Sequence, residues 1–389
     1  MPTPGLRSAV VRTLFDFCGC VAGGEAKAGG WPPDAAGRLA LRAHLRDQDD
    51  LHLDTVTHPG GIVWSAVCAC ALEQEVSLGD AGAAAALGYE LVVRLAEAAG
   101  ADHRRRWHVT TTAGTVGAAG AAARLLAPGT EAAAVAHAAS VAGGSLHGIV
   151  ERAGTRFLHR AHAAASGVAC ARAAAAGLTA AGHVLESGRG AFEELAGAEA
   201  AEQLTAPRAA TGLEQTGFRL YPSTGFAHAA VDAALSLAPL DPAAVEAVRV
   251  AVSPAAAVAL ASNPAPADDE QAWWSIEHSV AVALISADPD ASAAGRGPAE
   301  TLDLCRRVEV VEGGTGWSAS VEVALASGER RVKSVDGPPG HGDRPASDED
   351  LLRKWRRLTG RDGEPVLERL RTADDAEPLA SLLAFAGIL

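Results

Sequence analysis

The sequence predicts a mainly α-helical protein, with a large all-helical domain and an inserted, smaller α+β domain that forms a lid. Hydrophobic residues make up 48% of the 389 residues but aromatic residues only 4%. Alanine dominates the apolar share, and it favours helices that approach each other closely. Helical patterns separated by glycines follow one another from Leu6 to about Leu240, and short β-branched runs replace them after Asp241-Pro242.

The helical domain is predicted from segments whose apolar residues fill nearly every face, as expected for helices packed on more than one side. In chain order these are Ile62–Glu75, Ala81–Ala98, Gly114–Leu126, Thr130–Ala142, Phe157–Ala176 and Gly225–Leu237. We assign residues 1–241 to this domain. The tail, 364–389, is again helical, so residues 365–389 are assigned to the same domain.

The inserted domain, residues 242–364, is predicted to contain a small sheet. Its expected strands are Val245–Val252, Cys305–Val311 and Ser318–Leu325, with a glycine turn between the last two. Two helices are expected, Trp273–Ile285 and Ser347–Leu358, and in the second Ser347 and Asp350 have the spacing of a capping box. A cleft between two such domains is a favoured place for a ligand.

Composition narrows the possible functions. The formal net charge of −14 argues against a nucleic-acid partner but not against a small anionic substrate, because a local basic cluster can outweigh the global field. The six cysteines form no convincing disulfide framework, and we interpret them as small core residues. No apolar run approaches the roughly 18 residues of a membrane span. Asp16 interrupts the one stretch that resembles a signal peptide, so we expect a cytoplasmic protein without a membrane partner.

The loop 47–61 is the most informative segment. It contains four carboxylates and two imidazoles: Asp47, Asp49, Asp50, Asp54, His52 and His58. Such groups are costly to bury, so they suggest chemistry, although a solvated acidic loop is the alternative. Pro59 and Gly60 favour a helix start, which would place His58 at a helix N-terminus, where anions are stabilised and an imidazole pKa is lowered.

The segment 104–114 contains a second histidine that is expected at a helix N-terminus. A basic run ends in Trp107-His108, three threonines follow, and then a helix of small residues. Threonines just before a helix are natural N-caps, so His108 would also stand beside exposed helix N–H groups. Two such histidines could hold a carboxylate substrate. The alternative is that the threonines only cap the helix and His108 is a buried, hydrogen-bonded histidine.

Cations that could grip a carboxylate occur further along the chain. Helical spacing would place Arg152, Arg156 and His159 on one face, and arginine binds carboxylates through a bidentate fork. A solvated basic face is the alternative, and Gly154 makes the helix uncertain here.

Two later segments offer further candidates. Arg219 and Tyr221, one of only two tyrosines, precede a turn and a helix, and His278 lies in the first turn of another helix. Packing of Tyr221 and a surface position for His278 are the structural alternatives. There is no His-Glu-x-x-His motif, no Gly-rich phosphate loop after a strand and no Gly-x-Ser-x-Gly, so metallohydrolases, nucleotide enzymes and serine hydrolases are poorly supported.

Taken in order, these segments resemble the MmgE/PrpD family, which includes 2-methylcitrate dehydratase, cis-aconitate decarboxylase and iminodisuccinate epimerase. The matching features are the stretches 15–19, 57–60 and 88–90, Trp107-His108 followed by Thr and Gly, Thr155-Arg156-x-x-His159, and Tyr221-Pro222 ahead of His228. The resemblance covers most of the chain. It implies a helical domain with an α+β lid, a homodimer, and a site between the two domains.

The resemblance also implies the site residues. The expected catalytic residues are His58, His108, Asp50, Asp47 and His278, and the expected substrate-binding residues are His52, Thr57, Arg156, His159, Arg219 and Tyr221. The sequence departs from the family at three of them. The family usually has lysine where Arg156 and Arg219 stand and tyrosine near His278, which alters the possible proton donors.

The implied chemistry is the dehydration of a small polycarboxylate by β-elimination. We expect His58 and His108 to be the acid/base pair, arginines to hold carboxylates, and no metal or organic cofactor to be required. Epimerisation or isomerisation is the nearest alternative and decarboxylation the next. A non-catalytic family member that acts as a binding partner also stays open.

Overall fold

The computed structural model describes residues 3–24, 31–32, 34–151, 153–185, 192, 204, 206–260 and 262–388. The chain forms two compact units. Unit 1 comprises Met1–Gly217 and Leu358–Leu389, and unit 2 comprises Phe218–Arg357. Unit 2 therefore begins upstream of residue 242, where the sequence analysis places the domain boundary.

Unit 1 is built from helices. Those before unit 2 are α1 (Pro4–Gly23), α2 (Ala35–His44), α3 (Gly60–Ala71), α4 (Leu78–Arg106), α5 (Val109–Leu126), α6 (Glu131–Val141), α7 (His147–Val150), α8 (Thr155–Ala175) and α9 (Gly212–Gln215). Helix α4 is kinked at Gly100, whose φ of 66° is not helical, so its first stretch ends close to the predicted Ala98 and a second helical stretch continues to Arg106.

Helix α5 is the centre of unit 1, and its first fifteen residues, 109–123, are all buried. Small residues let its neighbours approach closely. A Cβ on Gly117 would lie 2.6 Å from the carbonyl oxygen of Gly88 in α4, and one on Gly167 in α8 would lie 2.4 Å from the Cβ of Ala118. The alanine- and glycine-rich composition is therefore what allows α4, α5 and α8 to pack at short distance.

Unit 2 contains a four-stranded sheet among its described residues. The strands are β1 (Val245–Val252), β2 (Val308–Glu312), β3 (Ala319–Leu325) and β4 (Arg330–Val335), in the order β2-β1-β3-β4. Strand β1 pairs in parallel with β2 and antiparallel with β3, and β3 pairs antiparallel with β4. The helices are α10 (His228–Leu235), α11 (Pro254–Leu260), α12 (Asp269–Trp273), α13 (Ile276–Ser286), α14 (Ala299–Cys305) and α15 (Asp348–Thr359), which ends in unit 1.

The core of unit 2 lies between the sheet and two helices. Buried valines of β1 and β3 join the alanine-rich sides of α10 and α13 in one apolar cluster. Strand β3 alternates buried and half-buried residues, as its sequence predicts. The capping box is also confirmed, because the backbone N–H of Ser347 donates to the Asp350 carboxylate at 2.9 Å and the backbone N–H of Asp350 donates to Ser347 Oγ at 3.1 Å.

Two predictions about unit 2 were wrong, and one strand was missed. Cys305 ends α14, so β2 begins only at Val308. The helix predicted from Trp273 is divided, since Trp273 ends α12 and α13 begins at Ile276. Strand β4 was not predicted, because it is a charged and largely exposed strand that shows no apolar alternation.

The C-terminal tail forms α16 (Glu364–Thr372) and α17 (Leu379–Ala386), both in unit 1. The backbone N–H of Leu379 donates to the carbonyl oxygen of Val76 at 2.8 Å, which attaches α17 to the start of α4. None of the described helices has the length and apolarity that crossing a membrane requires. All six cysteines are buried and none is in a disulfide, as expected for core residues.

Candidate functional site

The carboxylate of Asp50 holds the start of α3. It accepts hydrogen bonds from the backbone N–H of Gly60, at 2.9 and 3.1 Å, and from the hydroxyl of Tyr89 at 2.7 Å. The backbone carbonyl of Asp50 lies 2.6 Å from Nδ1 of His58, so Nδ1 is the donor, and in a neutral ring Nε2 is the acceptor nitrogen. Burial raises the pKa of Asp50 to about 7, although the bonds from Tyr89 and Gly60 lower it.

His108 is itself the N-cap residue of α5. Its backbone N–H donates to the carbonyl of Gly144 at 2.8 Å, and its Nδ1 lies 2.7 Å from Oγ1 of Thr111. The three threonines were predicted to precede the helix. That was wrong, because the helix begins at Val109 and the threonines form its first turn. The position of His108 beside a helix N-terminus nevertheless agrees with the sequence.

Helix α8 brings two arginines and a histidine to this region. Arg156, His159 and Arg160 are all buried in its first turns. Nδ1 of His159 is 3.3 Å from Nδ1 of His108. Burial and then the charge of Arg160 lower the pKa of both histidines. Arg152, the third residue of the predicted basic face, lies outside the described residues.

His44 joins these residues although the sequence analysis did not single it out. Its Nδ1 is 2.9 Å from Oδ1 of Asp49 and 3.8 Å from Oδ1 of Asp47. Its ring centroid is 6.2 Å from that of His58. Positive charge on His44 or His58 lowers the pKa of His108, so these rings lie within electrostatic range of one another. We call His44, His58, His108 and His159 the imidazole cluster.

Burial favours the neutral form of three rings of the imidazole cluster. Desolvation lowers the pKa of His44, His108 and His159, because a charged imidazolium loses its hydration in the interior. At neutral pH such rings are ready to accept a proton. The guanidinium groups beside them remain charged, so the arrangement can attract an anion and remove a proton from it.

The remaining predicted residues of the acidic loop serve the loop itself. Nδ1 of His52 lies 2.9 Å from Oγ1 of Thr55, which also contacts Oγ1 of Thr57 at 2.7 Å. Burial lowers the pKa of His52, but its charged neighbours are Asp54, Glu97 and Arg208 rather than members of the imidazole cluster. The structure therefore places His52 and Thr57 apart from the other predicted site residues.

Unit 2 holds the other predicted residues. Tyr221 donates to Asp232 at 2.8 Å, and His278 is fully buried with its Nε2 3.0 Å from the carbonyl oxygen of Arg296. A surface position for His278 is thus excluded. Arg219 is also buried, and after desolvation its charge is the next cause of the lowered pKa of His228. His228 was quoted in the sequence analysis only as a landmark of the family.

Donor atoms that could suit a metal ion meet in one place among the described residues. One donor atom each from His44, Asp47 and Asp49 lies within 4.8 Å of the others. The 2.9 Å distance between His44 Nδ1 and Asp49 Oδ1 is that of a hydrogen bond, and it places a proton between these two atoms.

Comparison with protein families covers most of the chain. The family model described as MmgE/PrpD N-terminal domain matches residues 6–204, and the one described as MmgE/PrpD C-terminal domain matches residues 221–374. No curated protein matches the chain. The chain belongs to the MmgE/PrpD family, and this membership indicates a dehydratase-type or related enzyme.

Proposed function

We propose that this member of the MmgE/PrpD family dehydrates a small polycarboxylate by β-elimination, using side-chain acid and base groups. The observation that carries the proposal is the imidazole cluster of unit 1, in which His58 and His108 stand at the N-termini of α3 and α5 and Arg160 lies within electrostatic range of every histidine except His58. Arg156 lies one turn before Arg160 on α8. Guanidinium groups and helix N-termini hold carboxylates, and neutral imidazoles move protons.

In this proposal His108 is the base. Burial and the charge of Arg160 keep its ring neutral. The ring takes the proton from the carbon next to a substrate carboxylate, and the electron pair of that C–H bond becomes the new C=C bond. The C–O bond breaks with its electrons on oxygen. His58 enters this step as the imidazolium, and its Nε2 proton converts the departing hydroxide into water while Nδ1 stays bonded to the carbonyl oxygen of Asp50. Negative charge that develops on the carboxylate is stabilised by the arginines of α8.

Isomerisation or epimerisation is the second candidate, and the short contact between His108 and His159 favours it. Nδ1 of one ring is 3.3 Å from Nδ1 of the other, so two bases lie in one place. A proton removed by one ring could pass to the other across this contact and be returned to a neighbouring carbon of the substrate, which moves a double bond. The roles expected for Arg219, Tyr221 and His278 stay predictions from the sequence.

The test is incubation with a panel of di- and tricarboxylates in deuterated water, followed by mass spectrometry and NMR. Loss of water from a substrate supports dehydration. Deuterium uptake without a change in composition supports isomerisation instead, and loss of carbon dioxide supports decarboxylation. If no compound of a broad panel changes, the proposal fails and a binding role is favoured.

The residue assignment is tested with His108→Asn, in which the amide can still hydrogen-bond to Thr111 while the basic ring is lost. We expect kcat to fall by about 10²–10⁴-fold, the usual contribution of a general base. His183→Ala, at an exposed position after α8, is the matched control and should keep its activity. Full activity of the His108 variant would refute the role assigned to it.

A further inference from the structure

We propose that His44 and Asp49 form a proton-holding dyad that positions the imidazole cluster, which makes His44 a further functional residue of the proposed reaction. This inference rests on the proposed function. It concerns two residues that neither the sequence analysis nor the family match assigns to the site. The two ring nitrogens of His44 have different roles in this dyad.

The proton of His44 lies on Nδ1. A carboxylate only accepts hydrogen bonds, and Oδ1 of Asp49 is 2.9 Å from Nδ1. Oδ1 of Asp47 stands on the same side of the ring, at 3.8 Å. All three side chains are buried, so water does not compete for this bond. The tautomer is therefore fixed, and Nε2 of a neutral ring carries the lone pair.

Nε2 is the nitrogen of the dyad that can accept a proton. Within the described part of the chain, the side chain of His44 makes its hydrogen bond through Nδ1, and Nε2 is not among the fully enclosed, unbonded polar atoms. The ring lies 6.2 Å from the ring of His58 and 5.9 Å from that of Phe157, measured between centroids. The ring of His44 thus stands beside the histidine to which we assign the leaving-group proton.

The backbone beside the dyad has an uncommon conformation at Asp47. Asp47 adopts a φ of 53°, a conformation that is uncommon for a residue with a side chain. Its backbone N–H donates to the carbonyl oxygen of His44 at 2.9 Å, which closes the turn after α2. Backbone strain of this kind clusters at functional sites, and here it brings the Asp47 carboxylate to the ring of His44.

Asp49 also lines a small cavity. Its volume is about 10 Å³, close to that of one water molecule, and its lining includes the side chains of Asp16, Asp49 and Asp50. Two further carboxylates, Asp16 and Asp50, therefore lie close to Asp49, and Asp50 is also bonded to His58 through its backbone carbonyl. Charges of both signs face His44, since Asp47 and Asp49 favour its protonated form and Arg160 opposes it.

The first test uses two substitutions that separate the nitrogens of the ring. In His44→Asn the amide can still donate to Asp49, but nothing replaces Nε2. In Asp49→Asn the ring stays, but a neutral amide, which can either accept from Nδ1 or donate to it, replaces the carboxylate that fixes the proton on Nδ1. We expect each to lower kcat by about 10²–10⁴-fold with little change in KM, and to alter the pH profile of kcat/KM. Unchanged kcat and pH profile in a folded His44→Asn protein would overturn the proposal.

The matched control is His103→Gln. His103 is fully buried and its Nε2 bonds to Oγ1 of Thr112 at 2.7 Å, a contact that a glutamine amide can replace. His103 is not part of the imidazole cluster, so this variant should keep the wild-type pH profile. If it loses kcat as His44→Asn does, the effect of His44 is only that of disturbing a buried histidine, and the proposal fails.

The second test does not depend on catalysis. Nitrogen-15 NMR of the histidine rings reports which nitrogen carries the proton. We expect His44 to be protonated on Nδ1 and to lose this preference in Asp49→Asn. A proton on Nε2, or stoichiometric binding of added Zn²⁺ that displaces the Nδ1 proton, would overturn the dyad. If no polycarboxylate reacts, the proposed function fails while this measurement still decides the state of His44.

Discussion

Removal of one hydroxyl, in Tyr89→Phe, tests the electrostatics of the candidate site most directly. Tyr89 is fully buried and its hydroxyl donates to Asp50 at 2.7 Å. A hydrogen bond to a charged group contributes about 1.5–3 kcal/mol and one to a neutral group about 0.5–1.5 kcal/mol. Asp50 changes between these states near its pKa of about 7. We therefore expect a loss of about 1 kcal/mol near pH 6, when Asp50 is protonated, and about 2 kcal/mol near pH 8.

The sign follows from linkage. The bond from Tyr89 lowers the pKa of Asp50 in the folded protein, so its removal raises that pKa further. The variant then retains its proton in a range where the wild-type carboxyl has already lost it, and the difference in stability grows as pH rises through the pKa.

The assay is urea unfolding of both proteins at a series of pH values. Tyr221→Phe is the control, because it removes the only other tyrosine hydroxyl from a carboxylate, Asp232, that keeps an ion pair with Arg344. The interpretation of the Asp50 environment is refuted if the loss in Tyr89→Phe does not vary with pH. It is also refuted if this loss never exceeds that in Tyr221→Phe.

Two further predictions concern the whole molecule. Burial lowers the pKa of His44, His108 and His228, so below about pH 6.5 the unfolded chain binds protons that the folded chain does not, and stability should fall on acidification. The free energy of unfolding should change by up to about 1.4 kcal/mol per pH unit for each histidine. Asp50 partly offsets this loss, because its raised pKa acts in the opposite direction. A urea midpoint that rises as the pH is lowered from 6.5 would contradict the prediction. Gly167→Ala should destabilise unit 1 by about 1–3 kcal/mol through the overlap with Ala118, even though alanine is the better helix former. Thermal unfolding can be compared with Gly154→Ala, where a Cβ would meet no atom within 4 Å, and equal melting temperatures would show that α5 and α8 can move apart.

The fold could be predicted from the sequence wherever a local pattern determines the element. The periodicity of small apolar residues located the main helices of unit 1, and the alternation in 319–325 located β3. The edge strand β4 was missed because its charged residues show no such alternation. The true start of α5 was missed because β-branched threonines at a helix start look like caps, whereas tertiary burial draws them into its first turn.

The candidate site could be predicted only in part, because sequence motifs do not show which residues meet. The loop 47–61 and the Trp107-His108 motif indicated His58 and His108 through their positions before helices. His44 had no such signal, since a histidine in the last turn of a helix is ordinarily explained by the helix dipole. The spacing His44-x-x-Asp47-x-Asp49, in which two carboxylates follow an imidazole within five residues, is the pattern that could have revealed it.

The electrostatic balance of the site explains why these groups belong together. Desolvation alone would keep each buried histidine neutral and Asp50 protonated near neutral pH. The groups therefore resist the charge separation that a proton transfer creates, unless a charge of the opposite sign stands close by. Arg160 lies within electrostatic range of three of the four histidines and supports negative charge on a substrate, while Asp49 supports positive charge on His44. In the proposed elimination Arg160 would support the negative charge that develops on the substrate carboxylate, and Asp49 would support positive charge that reaches His44.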